Sequence, residues 1–142
     1  MKKLFSLLFT LFSFFLFLSC SNEDAQIKQT IQEYQTALNN NDPDKLIELC
    51  ENPDTYTISL ASQYIKLFTD KGLKPEYTID IIELKVKENI AEAKIKTTTN
   101  YISDNKEVIE ALKYLGTPVT DSIVTLRKTN ESWKILTEKV ID

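Results

Sequence analysis

Apolar residues follow three different rhythms along this chain. From Leu4 to Leu18 they are nearly continuous, broken only by Ser6, Thr10 and Ser13 and preceded by Lys2 and Lys3. A spanning helix needs about 20 apolar residues, whereas the core of an export signal needs roughly 7–15 behind a basic start. The stretch therefore reads as an export signal, with an uncleaved anchor as the alternative. From 24 to 40 the rhythm becomes helical, because Ile27, Ile31, Tyr34 and Leu38 fall on one face. Asn39-Asn40-Asn41 closes that helix. Asp42 then caps a short second helix with Pro43 at its first position, where the missing N–H costs nothing. Its inward residues are Leu46, Leu49 and Cys50. A third helix is predicted over 57–71, with Ile58, Ala61, Ile65 and Phe68 on its face, widened by Leu60, Tyr64 and Leu67. Gly72 closes it.

The third rhythm is alternation. A strand is predicted over 77–86, and its apolar phase switches between Ile81 and Ile82, which signals a bulge or burial on both faces. Lys87-Glu88-Asn89 turns the chain. The next strand, 90–102, puts Ala91, Ala93, Ile95, Thr97, Thr99 and Tyr101 on one face and Glu92, Lys94, Lys96 and Thr98 on the other. An inserted helix follows, started by Asp104 with Glu107 three residues on and stopped by Gly116 and Pro118. "SIVTLRK" and "SWKILTEKV" form a closing hairpin around Thr129-Asn130-Glu131. Helices followed by a mostly antiparallel sheet make an α+β domain.

Composition changes this picture once the leader is set aside. Six of the 7 Phe lie in the first twenty residues, so the mature domain keeps Phe68. Loss of Lys2 and Lys3 moves the formal charge from −4 to −6. That balance argues against a nucleic-acid partner, which needs a basic footprint to displace counterions. With no His, neither a histidine-based triad nor a histidine metal site is available. Two Gly exclude the usual glycine-rich phosphate loop. Asp42 and Asp44 are read as helix cap and first-turn acid rather than metal ligands. No cofactor and no metal are expected. Of the 2 Cys, Cys50 is expected as a buried free thiol on the second helix, with an intermolecular disulfide or reactive thiol as the alternative.

Two stretches carry resemblances. "FLFLSC" resembles a bacterial lipoprotein box, with Phe17 where that box usually has Leu. It implies that Cys20 is acylated and becomes the mature N-terminus. Ser19-Cys20-Ser21 also fits ordinary cleavage after Ser21. The implied division is a signal peptide over 1–19, a lipidated cysteine and tether over 20–25, and a domain over 26–142. Ser21 after the cysteine implies the outer membrane of a Gram-negative envelope, and "SNED" is similar to acidic runs that direct export to the cell surface. Which face the domain occupies stays open. "IQEYQTALNNNDPDKLIELC" and "DSIVTLRKTNESWKILTEKV" are similar to the opening and the last hairpin of the nuclear-transport-factor-2-like (NTF2-like, or SnoaL-like) superfamily. The resemblance implies N-terminal helices packed on a curved, mostly antiparallel four-stranded sheet that forms a cone. The lead-in also looks like small bacterial lipoproteins with such domains.

In that cone the face running from Ala91 to Tyr101 starts apolar and turns polar. The expected pocket is lined by Tyr34, Tyr64, Thr97, Thr99, Tyr101 and Trp133, although each aromatic also reads as plain core. No acid is placed inward; alternation turns Asp80 away from Tyr77, Ile79 and Ile81, so no catalytic residue is assigned. The expected function is therefore a lipid-anchored binding or accessory module, whose partner is the membrane, through its lipid, and a small hydrophobic ligand or an envelope protein. Two alternatives stand beside it. One is an enzyme of isomerase or dehydratase type using a tyrosine and a carboxylate. The other is a structural lipoprotein that docks on another protein.

Overall fold

A computed structural model of the chain describes residues 22–53, 63, 66, 68–113, 117–130 and 132–141. Helix α1 covers 22–40 and is already helical at the first described residue. The helix thus starts at least two residues before the expected position 24. Glu23 there bonds the Lys128 ammonium on the sheet, and acids in a first turn also favour the helix dipole. Helix α2 spans Pro43–Leu49, with the Asp42 carboxylate accepting from the Lys45 N–H at 3.0 Å. A third helical segment, α3, is described at 63, 66 and 68–70. It ends as expected on Gly72, whose φ is 72°. There the Leu73 N–H reaches Phe68 O and the Gly72 N–H reaches Thr69 O, each at 2.9 Å, which satisfies two carbonyls of the last turn.

The sheet is a four-stranded antiparallel meander, β1 (Lys74–Lys87), β2 (Ile90–Ile102), β3 (Val119–Thr129) and β4 (Ser132–Ile141), in the order β1-β2-β3-β4. It is curved and unclosed. Helix α4 (Lys106–Lys113) is inserted between β2 and β3. Its cap is Asn105, whose side chain accepts from the Glu107 N–H at 2.9 Å, not the expected Asp104. The Asn105 backbone N–H is itself held by the Ser103 hydroxyl, which fixes the cap one residue later.

Two bulges set which side chains face inward. In β1 the register with β2 shifts between Ile81 and Glu83, so Ile82 is the extra residue and is 54% exposed. Tyr77, Ile79 and Ile81 face in before it, Leu84 after it. The predicted phase switch is thus a bulge. In β4 Leu126 pairs with Ile135 but Thr125 pairs with Thr137, leaving Leu136 unpaired. Beyond it the inward parity flips from Trp133 and Ile135 to Glu138 and Val140.

The core lies where α1 crosses the sheet. Ile27 and Ile31 pack with Ala91, Ala93, Ile95, Val124, Leu126, Trp133 and Ile135. A smaller cluster of Ala37, Leu46 and Leu49 joins α1 to α2, with Tyr34 and Leu38 at its margin. Cys50 is a correction: it is half-buried and stands just past α2 in extended backbone, bridged to Ile135. Burial pushes its thiol pKa up, against the pull of the Lys134 charge. The far half of α1 is held by its polar side chains. Asn39 donates to Tyr77 O at 2.9 Å and accepts from the Tyr77 N–H at 2.7 Å, and Gln35 accepts from the Ile79 N–H at 2.6 Å. Asn39 and Gln35 sit one turn apart, so together they occupy the open edge of β1 as a partner strand would.

Candidate functional site

Between the C-terminal half of α1 and the polar end of the sheet lies a cavity of about 350 Å³. Tyr34 and Leu38 of α1, Phe68 of α3 and Tyr77 and Ile79 of β1 form one side of the described lining. Thr97 and Thr99 of β2, Thr120 and Ser122 of β3, and Glu138 and Val140 of β4 form the other. The register explains the gathering of hydroxyls: Ile79, Thr97 and Thr120 pair in one row across three strands, and Tyr77 pairs with Thr99 in the next. The Ala91–Ile95 half of the β2 face is covered by α1, so its threonine half faces the space where the helix no longer fills the cone.

Two polar groups define the chemistry. The Tyr34 hydroxyl donates to Glu138 Oε2 at 2.9 Å. Burial, followed by the Glu138 charge and this hydrogen bond, pushes the Tyr34 pKa well above its ordinary value, so it stays a neutral donor. Ser122 is 1% exposed, faces inward by alternation with Val124 and Leu126, and its Oγ has no hydrogen-bond partner. A buried hydroxyl without a partner costs about 1–3 kcal/mol. Burial, then the neighbouring Tyr101, also raises the Tyr77 pKa.

The structure brings Tyr34, Thr97 and Thr99 together in this cavity and places two other expected residues elsewhere. Tyr101 packs on Phe68, with ring centroids 6.0 Å apart, and lines a neighbouring cavity of about 180 Å³ with Ile109 and Leu112 of α4. Trp133 is a core residue, 2% exposed, beneath the N-terminal half of α1, where its carbonyl accepts from Thr30. Tyr64 and Cys20 lie outside the described residues. The expectation that no acid faces inward is overturned at Glu138. Simple alternation from Trp133 and Ile135 turns Glu138 away from the cavity; the bulge at Leu136 turns it to the cavity side, where it joins the lining while staying exposed. The signal was present in the odd spacing from Ile135 to Val140, the same kind of phase switch as in β1. Asp80 is exposed, as expected. Among the described residues no group of three acidic or cysteine side chains converges on a metal position.

Solved structures of similar architecture come from several bacteria. An NTF2-like protein of unknown function from Shewanella oneidensis superposes with a TM-score of 0.61 at 16% identity, covering 84% of this chain and 99% of that one. The fold is NTF2-like. A conserved protein from Planctomyces limnophilus gives 0.61 at 11% identity, over 85% of this chain and 98% of that one. A protein with a cystatin-like fold from Caulobacter vibrioides gives 0.60 at 14% identity, over 84% and 89%. No protein-family model and no curated protein sequence matches the chain. At these identities the likeness concerns the NTF2-like architecture alone, and the chemistry rests on this chain's own residues.

Proposed function

We propose that this chain is an exported, lipid-anchored protein of a Gram-negative cell envelope, whose NTF2-like domain holds a small molecule in the cavity between α1 and the sheet. The anchor rests on the leader and on Cys20. The binding reading rests on one observation above all: Ser122 Oγ is buried without a partner in the wall of a cavity of about 350 Å³. Ligand pockets run from about 300 to 1,000 Å³ and combine apolar walls with a few convergent polar groups. Leu38, Ile79 and Val140 supply the former; Tyr34, Thr97, Ser122 and Glu138 supply the latter. Native mass spectrometry of the protein extracted from membranes tests both parts. The expected spectrum shows diacylglycerol and acyl mass on a chain beginning at Cys20, together with a retained small molecule that activation releases. A bare chain beginning elsewhere refutes the anchor. A domain that carries no adduct and whose melting temperature is unmoved by a metabolite library refutes the ligand.

The hydrogen bond between Tyr34 and Glu138 favours a second reading, an isomerase- or dehydratase-type enzyme. Glu138 would take a proton from the substrate and Tyr34 would donate to the oxygen where charge develops. The readings separate on Glu138→Gln. Loss of a catalytic base lowers turnover about 10²–10⁴-fold, whereas a binding site loses affinity in a graded way.

A further inference from the structure

Building on that binding reading, we infer that the cavity selects a small organic cation, an apolar body bearing an ammonium group, over neutral and anionic molecules of the same shape. The argument starts from charge. Glu138 is the one acidic side chain among the described lining residues, and no Lys or Arg stands among them. The stretch 54–67, most of which lies outside the described residues, contains a single basic residue, Lys66. Lys66 is exposed and lines a different cavity with Asn39 and Lys74. Among the described residues of α3, no cation lines the cavity with Glu138.

The hydrogen-bonding inventory agrees. Glu138 Oε2 accepts from Tyr34, and Oε1 accepts from no described residue, which leaves acceptor capacity for a donor. An ammonium brings three donors. Ser122 Oγ, unpartnered on the neighbouring strand and paired in register with Val140, offers lone pairs close to the same wall. A carboxylate or phosphate in this space meets Glu138 with no counter-charge among the described lining residues, and that repulsion disfavours it at low salt. The apolar lining from Leu38, Phe68, Ile79 and Val140 suits the body of the ligand. Phe68 and Tyr77 add aromatic rings, which attract cations.

The test uses the full-length protein in detergent at neutral pH and low salt, titrated calorimetrically with three probes of one shape: 2-phenylethylamine, 2-phenylethanol and 3-phenylpropionate. The amine is expected to bind at least about tenfold more tightly than the alcohol, because a hydrogen bond to a charged group contributes more than a neutral one. The carboxylate is expected not to bind. Glu138→Gln keeps an acceptor for Tyr34 and removes the charge. It should weaken the amine about tenfold or more and leave the alcohol within about twofold. Lys139→Gln, which alters a neighbouring charge on the outer face, should change neither. Carboxylate binding as tight as amine binding, or an amine affinity indifferent to Glu138→Gln, overturns the cation inference while alcohol binding leaves the cavity reading intact. If no probe binds and native spectra show no retained molecule, both fall together.

Discussion

Replacing Asn39 with alanine removes two hydrogen bonds from one side chain. Nδ2 donates to Tyr77 O at 2.9 Å and Oδ1 accepts from the Tyr77 N–H at 2.7 Å. Each contributes about 0.5–1.5 kcal/mol net, so about 1–3 kcal/mol is at stake. Alanine returns up to about 0.7 kcal/mol of helix propensity, less so near the end of a helix, where Asn39 sits one residue from the last helical position. Water reaching the freed Tyr77 groups offsets part of the rest, because the site is only part-buried. The expected destabilisation is therefore about 1–2 kcal/mol. Urea denaturation followed by circular dichroism should show a lower midpoint with an unchanged slope. Asn40→Ala, at an exposed neighbour, should fall within about 0.5 kcal/mol of the parent. Hydrogen exchange gives an independent readout. The Tyr77 amide points from the open edge of β1 yet should be protected in the parent, and it should exchange much faster in the variant. Equal midpoints for the two variants, or an unprotected Tyr77 amide in the parent, would mean that α1 does not close the sheet edge.

Ile31→Ala should destabilise by about 2–5 kcal/mol, since Ile31 is in the main core, whereas Lys28→Ala on the exposed face should be near neutral; similar losses at both would put the helix in the wrong phase. Glu33 has a lowered pKa, first through the Gln29 amide and then through Lys45. Its contribution to stability is thus present above the unfolded value of about 4.3 and lost as pH falls through the lower folded value. Glu33→Gln should flatten that acid limb, and an unchanged limb in pH-dependent melts refutes the pairing. Tyr34 has a raised pKa, so its contribution is complete below the unfolded value of about 10 and declines at higher pH. Tyr34→Phe should make the alkaline fall in stability shallower than in the parent, and an unchanged alkaline limb in pH-dependent melts refutes it. Cys20→Ala should abolish metabolic labelling by palmitate and block processing or release the domain, because acyl chains contribute about 0.8 kcal/mol per buried CH₂. Persistent labelling in that variant would sink the lipoprotein assignment.

Local order was legible because it depends on near neighbours. The pairing of Asp42 with Pro43 started α2, Gly72 ended α3, and the alternation from Ile90 to Ile102 gave β2 its bounds and its inward face. The doubled isoleucine at 81 and 82 signalled a bulge or burial on both faces, and the exposed Ile82 and its register shift decide for the bulge. The α+β class followed from the order of these rhythms. The cavity did not, because its contents depend on distant pairings. Glu138 enters only through an extra residue at Leu136, and that bulge is defined by the partner strand β3. Asn39 read as part of a helix-ending asparagine run, and its role at the β1 edge exists only once a strand 38 residues away lies beside it. Ser122 read as an ordinary strand residue and became an unpartnered buried hydroxyl only once the folded sheet enclosed it. Trp133 and Tyr34 shared an apolar signature in the sequence, yet the crossing of α1 over the sheet sent one into the core and left the other at the cavity with its hydroxyl on a carboxylate. Periodicity tells which side of an element is apolar; the crossing angle and the register of neighbouring strands decide whether that side is filled or left open.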